Sequence, residues 1–127
     1  MKKLIMLFIL TTLAACVTVT EEPPIVINGA AGYNERVMLP PGSTVTIAII
    51  DLDTPGVIIA QKNFNVARAP IPFKFILPSK SIDKSINYGV VALIKNQGQL
   101  LFQTYDRYQI INNGSYTVEI LMKMVKK

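Results

Sequence analysis

Few side chains in this sequence have the chemistry of a catalytic or metal-binding site. The chain has no histidine and a single cysteine, which excludes Ser-His and Cys-His nucleophile pairs and the usual imidazole metal ligands. Asp51 and Asp53 share one face of a predicted strand, and paired carboxylates can perform acid–base catalysis or bind calcium. No further ligands lie nearby in the sequence, and residues 53–56 (DTPG) are typical of a turn. We therefore predict no catalytic residue, no metal site, no cofactor and no enzyme activity.

The first 16 residues have the pattern of a cleavable export signal that ends in a cysteine. Lys2 and Lys3 precede an unbroken apolar run at residues 4–10, and the whole apolar stretch of about 12 residues has the length of a signal-peptide core. It is shorter than the roughly 20 residues needed to cross a bilayer. Small side chains directly before Cys16 predict cleavage between Ala15 and Cys16. The alternative is an ordinary secretory signal with a chance cysteine at its end.

Residues 13–16 (LAAC) resemble the lipobox of bacterial lipoprotein signals. The resemblance implies that the Cys16 thiol carries a diacylglycerol and that the new amino group is acylated as well. Two or more acyl chains anchor a protein stably, whereas one chain binds only marginally. Val17 stands where an aspartate would resemble an inner-membrane retention signal of enteric-type bacteria. The resemblance therefore implies a lipid anchor in the outer membrane, with the domain facing the periplasm.

The remaining sequence divides into a tether and one domain. Residues 16–24 are predicted to form a lipidated tether, because Glu21 and Glu22 are charged and Pro23-Pro24 stiffens the chain. Residues 25–127 are predicted to form a single domain. Loss of residues 1–15 leaves 112 of the 127 residues, enough for a hydrophobic core without disulfides.

Charge gives little indication of a partner. The net charge of +5 falls by two, to +3, when Lys2 and Lys3 are removed with the signal. The other basic residues are spread thinly, without the basic stripe and interleaved aromatics of a nucleic-acid interface. We predict no nucleic-acid binding, and the sequence does not indicate an oligomeric state.

The body of the chain predicts an all-β fold, a small β-sandwich of about seven or eight strands or a small barrel. Apolar side chains alternate with polar ones, and Gly, Pro and Asn separate the segments. Only residues 79–85 could hold a helical turn. The predicted strands lie at 33–39, 44–53, 57–66, 71–77, 88–94, 99–104, 108–111 and 116–124.

Prolines and turn residues add detail to this prediction. Pro70, Pro72 and Pro78 lack N–H donors, which places the strand at 71–77 at a sheet edge. Residues 95–98 (KNQG) predict a hairpin into the next strand, and residues 112–114 (NNG) predict the strongest hairpin turn of the chain.

Aromatic residues on the later strands are the candidates for partner binding. They could line a hydrophobic groove for a peptide or a lipid chain, although such residues more often belong to the core or to cross-strand pairs. The candidate partner-binding residues are Tyr88, Phe102, Tyr105 and Tyr108.

Three motifs in a fixed order resemble the YbaY/YscW-type lipoproteins. They are residues 35–43 (ERVMLPPGS), residues 71–75 (IPFKF) and residues 98–102 (GQLLF), and the similarity extends from about residue 29 to residue 125. The resemblance implies a β-sandwich and an outer-membrane lipoprotein in the periplasm. Its YscW branch contains type III secretion pilotins, lipoprotein chaperones that bind the C-terminal segment of a secretin subunit. Its YbaY branch is loosely associated with cell-envelope polysaccharide.

Three functions remain open on the sequence. The first is a non-enzymatic, chaperone-like module that holds an envelope or secretin polypeptide at a sheet edge or in an apolar groove. The second is a structural or stress-related envelope lipoprotein, linked to cell-envelope polysaccharide and without a secretion role. The third, an enzyme acting on envelope glycans, is the least supported because Asp51 and Asp53 are its only candidate groups.

Overall fold

A computed structural model describes residues 22–125. These residues form eight β-strands, with one short 3₁₀ turn at Ser79–Ser81. The strands are β1 (Ile25–Tyr33), β2 (Thr44–Asp51), β3 (Ile58–Asn65), β4 (Ile71–Leu77), β5 (Tyr88–Asn96), β6 (Gln99–Thr104), β7 (Tyr108–Ile110) and β8 (Thr117–Met124). The predicted all-β class is confirmed, and the 3₁₀ turn lies within the segment predicted to allow one.

All eight strands belong to one sheet that is rolled into a nearly closed barrel. The order is β3-β2-β5-β6-β8-β1-β4, and β7 pairs separately with β5. Neighbours are antiparallel except β1 and β8, which run parallel, with Asn28 opposite Thr117 and Tyr33 opposite Met122. The end strands of this order are β3 and β4, and the facing halves of the rolled sheet enclose the core.

Period-two alternation determines which side chains enter the core, because successive residues of a strand point to opposite faces. In β4 the buried side chains are Ile71, Phe73, Phe75 and Leu77, with exposed residues between them. In β2 and β5 the inward rows are Val45, Ile47 and Ile49, and Tyr88, Val90, Ala92 and Ile94. These rows follow the predicted alternation of apolar and polar residues, and the edge position of β4 is confirmed.

The first strand lies earlier in the chain than the sequence predicts. A strand was expected at 33–39, whereas β1 covers Ile25–Tyr33 and residues 34–43 form the connection to β2. The sequence does not reveal β1, because its centre consists of small residues and glycines, which are typical of loops. These residues are Gly29, Ala30, Ala31 and Gly32. They suit this strand because a Cβ at Gly29 would lie 2.2 Å from the Val118 carbonyl oxygen and 2.5 Å from the Phe73 ring.

The two predicted hairpins have different outcomes. The turn at Gln97 and Gly98 has positive φ at both residues and joins β5 to β6 as predicted. The turn at residues 111–115 is present, but β7 pairs with β5 while β8 pairs with β1 and β6. The hairpin prediction at residues 112–114 is therefore wrong, because a local turn signal does not determine which strand becomes the neighbour.

Candidate functional site

The four candidate aromatic residues occupy different environments. Tyr88 is buried, and its hydroxyl accepts a hydrogen bond of 2.8 Å from the Asp83 amide. Phe102 is also buried and stacks on Tyr33, with ring centroids 4.4 Å apart. Tyr88 and Phe102 therefore contribute to the core rather than to an accessible surface.

Tyr108 and Tyr105 lie further out. Tyr108 is half-buried, and its hydroxyl accepts from the Leu121 amide (3.0 Å) and donates to the Leu121 carbonyl oxygen (3.4 Å). Tyr105, by contrast, is 53% exposed. The four rings therefore do not share one surface, and a partner-binding role remains a prediction for Tyr105.

Tyr105 lines an open groove of about 1030 Å³ formed by the ends of three strands. Its walls are Tyr105 after β6, Asn34 and Glu35 after β1, and residues 122–125 at the end of β8. The parallel register brings Tyr33 opposite Met122, and the β6 register brings Thr104 opposite the same residue. β6 pairs with Met122 to Met124 of β8 and leaves β8 after Thr104, so that Tyr105 lies beside the paired end of β8.

The groove combines an apolar floor with charged margins. Met124 is half-exposed at the end of β8, and Glu35 and Lys123 bring opposite charges to the walls. Methionine is flexible and polarizable, so it adapts to irregular apolar partners. Val37 and Met38 are exposed on the connection that begins at Asn34, and Met38 is 83% accessible. We call the groove together with these two residues the groove end of the barrel.

Sequence reasoning missed most of the groove. Period-two alternation places Met122 and Met124 on the same face of β8, but only Met122 is buried. Met124 is the last residue of β8 and is half-exposed, so the strand's inward row ends before it. Asn34 was not singled out, and Glu35 was noted only within the motif at 35–43, because both residues reach the groove through the parallel pairing of β1 with β8.

The motif at residues 39–43 (LPPGS) has a structural explanation. Leu39 and Ser43 are buried, and the Ser43 hydroxyl donates to the Pro40 carbonyl oxygen at 2.7 Å. The Asn96 side-chain amide donates to the Pro41 carbonyl oxygen (2.9 Å) and to the Ser43 hydroxyl (3.2 Å). These bonds fix the connection between β1 and β2 to the end of β5.

Asp51 and Asp53 form a turn network. The Asp51 carboxylate accepts from the Asp53 amide at 2.9 Å, and the Asp53 carboxylate accepts from the Asn87 side chain at 2.8 Å. Arg107 lies 3.5 Å from Asp53 as an exposed ion pair. Asp51 therefore stabilises the β2–β3 turn from within, and Asp53 joins that turn to the loops that hold Asn87 and Arg107.

The two end strands of the sheet face each other along a seam. Lys62 of β3 reaches across it, donates to the carbonyl oxygen of Lys74 in β4, and lies 5.4 Å from the centroid of the Phe75 ring. Pro72 of β4 has no N–H to offer. Lysine and proline at strand edges oppose the addition of another strand. The groove is therefore better suited to a partner than this seam.

Ala15 and Cys16 lie outside the described residues, as do the other residues of the predicted signal. Within residues 22–125, the side chains of His, Cys, Asp and Glu form no group of three or more that could hold a metal ion. The same part of the chain contains no helix with the length and apolar character required to span a membrane.

A small all-β barrel with an apolar groove at one end has the architecture of a binding module. The profile of the family described as "Type III secretion system lipoprotein chaperone (YscW)" matches residues 22–122. The solved structure of an alternative pilotin from the type II secretion system of Vibrio cholerae is similar, with a TM-score of 0.73 and 31% identity. The match covers 80% of this chain and 97% of that one. None of the curated proteins matches the chain.

The chain therefore belongs to the YscW family of type III secretion lipoprotein chaperones. Its fold is that of a chaperone-like, pilotin-type module.

Proposed function

We propose that this protein is an outer-membrane lipoprotein that faces the periplasm, binds the C-terminal segment of a secretin subunit in its groove, and has no enzyme activity. Membership of a secretion chaperone family and the likeness to a pilotin support this role. The observation that carries the proposal is the groove between the ends of β1, β6 and β8. Its exposed Tyr105 and Met124 offer apolar contacts, with a cation and a carboxylate on the walls.

The shape of the site favours a helical partner over an extended strand. A helix that enters a groove presents apolar side chains at intervals of three and four residues, while a strand needs an accessible row of backbone groups. At the seam, Lys62 already contacts the Lys74 carbonyl oxygen. An amphipathic segment of the secretin tail would place its apolar face on Tyr105 and Met124.

The anchor is the second part of the proposal. Cleavage before Cys16 and acylation of that residue would fix the domain to the membrane to which the secretin must be delivered. Intact-mass analysis of the protein extracted from membranes should show an N-terminal Cys16 with a diacylglycerol and an amide-linked acyl chain. An unmodified Cys16, or retention of residues 1–15 in the exported protein, would contradict the anchor.

A binding measurement tests the groove. The lipidated protein in detergent is titrated with C-terminal segments of the secretins encoded in the same genome. Tyr105→Ala and Met124→Ala are each expected to weaken binding roughly tenfold, as truncation of a central apolar contact does. Ile58→Ala and Ile76→Ala remove similarly exposed apolar side chains at the opposite end of the barrel and should leave affinity unchanged.

Two results would count against the proposal. Equal losses from both pairs of variants would remove the groove as the binding site. If the lipidated protein without substitutions bound no secretin segment, the result would favour an envelope lipoprotein without a secretion role.

A further inference from the structure

The exposed large hydrophobic side chains of the described residues fall into two groups at opposite ends of the barrel. One group belongs to the groove end. The other lies where β1, β3, β5 and β8 begin and β2 and β4 finish, as the strand registers show. The second group consists of Val57, Ile58, Ile76 and Tyr116.

This second end of the barrel is where the chain arrives from the predicted tether, and we call it the tether end. It comprises residues 22–25, 51–58, 76–87 and 111–116, together with Arg107, which forms an ion pair with Asp53. The Ser79 hydroxyl donates to the Pro23 carbonyl oxygen, which fixes the incoming chain beside the end of β4. Glu22, Pro24, Ile76, Pro78, Ser79 and Lys80 line a shallow hollow there.

Two apolar residues of the tether end lie on the strands that border the seam. Lys62 contacts Lys74 across it, and β3 and β4 run in opposite directions from that point. Towards the tether end, β3 begins at Ile58, which is 55% exposed, and β4 passes Ile76, which is 61% exposed. Both isoleucines therefore lie on the same side of that contact, on the two strands that border the seam.

The short chain between Cys16 and Glu22 limits how far the tether end can lie from the membrane. Six peptide steps separate Cys16 from Glu22, and a fully extended chain advances about 3.3–3.6 Å per residue, so the tether spans at most about 22 Å. A Cys16 held at the lipid surface therefore keeps the tether end within that distance of the headgroups. The groove end lies further from the headgroups than the tether end by the length of β1, whose nine residues extend about 30 Å.

We propose that the tether end rests on the phospholipid surface, with Ile58, Ile76 and Tyr116 in the interfacial region, and that this contact points the groove into the periplasm. The inference rests on the proposed acylation of Cys16. Isoleucine side chains partition out of water, and tyrosine suits the boundary between lipid and water.

Electrostatic attraction is not the source of this contact. The tether end carries the cations Lys80, Lys84 and Arg107 and the carboxylates Glu22, Asp51, Asp53 and Asp83. Hydrogen bonds from the Ser85 hydroxyl and amide lower the pKa of Asp83, so this carboxyl stays ionised at neutral pH. With both signs present, the contact should form equally well on neutral and anionic lipid.

Tryptophan fluorescence tests the orientation, because the chain has no tryptophan of its own and one introduced residue is a unique probe. Ile76→Trp and Tyr116→Trp probe the tether end, and Tyr116→Trp keeps an aromatic side chain in case the first substitution disturbs folding. Met38→Trp is the control at the groove end. Each lipidated protein is reconstituted, without a secretin, into phosphatidylcholine vesicles with or without brominated acyl chains.

We expect brominated lipid to quench the fluorescence of the two tether-end variants several-fold more than that of Met38→Trp. Emission from the tether-end variants should also shift to shorter wavelength when the protein moves from detergent to vesicles. Equal quenching in all three variants, or none, in a protein whose acylation is confirmed by mass would overturn the orientation and leave secretin binding intact. A bare Cys16 would overturn the orientation together with the anchor.

Discussion

Asn96, at the end of β5, holds the β1–β2 connection in place through two side-chain hydrogen bonds. Its side-chain amide donates to the Pro41 carbonyl oxygen and to the hydroxyl of buried Ser43. Asn96→Ala would leave both acceptors without this donor, which costs about 1–2 kcal/mol. We expect a loss of that size in the free energy of unfolding measured with urea. Asn65→Ala, at an exposed position of β3, should change it little, and an equal loss in both variants would contradict the assigned role of Asn96.

Gly29 and Gly32 test packing within one strand. A Cβ at Gly29 would meet the Val118 backbone oxygen and the Phe73 ring, both closer than van der Waals contact, whereas a Cβ at Gly32 meets nothing within 4 Å. Because β1 and β8 would have to separate, Gly29→Ala should destabilise the protein by about 3 kcal/mol. Gly32→Ala should be neutral or slightly stabilising. Thermal unfolding of both variants distinguishes these outcomes, and similar melting temperatures would refute the packing argument.

At the scale of elements, two side chains take the place of missing strand pairing. β5 pairs with β7 near its start and with β6 near its end, and between these regions the Ala92 amide donates to the Thr104 hydroxyl at 3.2 Å. The Tyr108 hydroxyl serves both backbone groups of Leu121 in the same way. Side-chain hydroxyls thus satisfy backbone groups where the strands diverge.

Tyr108→Phe removes the hydroxyl that bonds the Leu121 backbone and keeps the aromatic ring. The Leu121 amide and carbonyl would lose their partner, so we expect a loss of about 1–2 kcal/mol and faster hydrogen exchange at the Leu121 amide. Tyr105→Phe removes a hydroxyl from an exposed ring and serves as the matched control. Exchange at Leu121 that is unchanged in Tyr108→Phe would show that water replaces the hydroxyl at no cost.

The sequence predicts elements well where the pattern is local. The alternation in β4, the prolines on its edge and the Gln97-Gly98 turn each follow from neighbouring residues and were predicted correctly. β1 was placed too late because its glycines and alanines have no strand periodicity. The pairing of β1 with β8 joins opposite ends of the domain, and no local pattern encodes a contact at that separation.

At the scale of the whole molecule, the same limit applies to the candidate site. Tyr105 was named from the sequence, but the groove also needs Glu35 and Met124, which only the rolled sheet brings together. Tyr88 and Phe102 were named with Tyr105 because aromatic residues serve cores and binding surfaces alike. The position of each strand in the barrel decides between these roles.

The seam is the weakest closure of the barrel. Among the described strands, β3 and β4 each pair along one side, and Lys62 bridges the gap to the Lys74 carbonyl oxygen and the Phe75 ring. Charged residues of this kind keep sheet edges from pairing with another molecule. Replacement of Lys62 by valine would remove the charge and present an edge strand of higher β-propensity.

We therefore expect Lys62→Val to dimerise in a concentration-dependent manner, as measured by sedimentation of the protein in detergent. Lys95→Val is the matched control, because Lys95 is also an exposed lysine on a strand but lies on β5, which is paired along both sides near this residue. If both variants associated equally, lost charge alone would be the cause. If Lys62→Val stayed monomeric, the contacts of β3 and β4 across the seam would be sufficient to exclude another strand without the lysine.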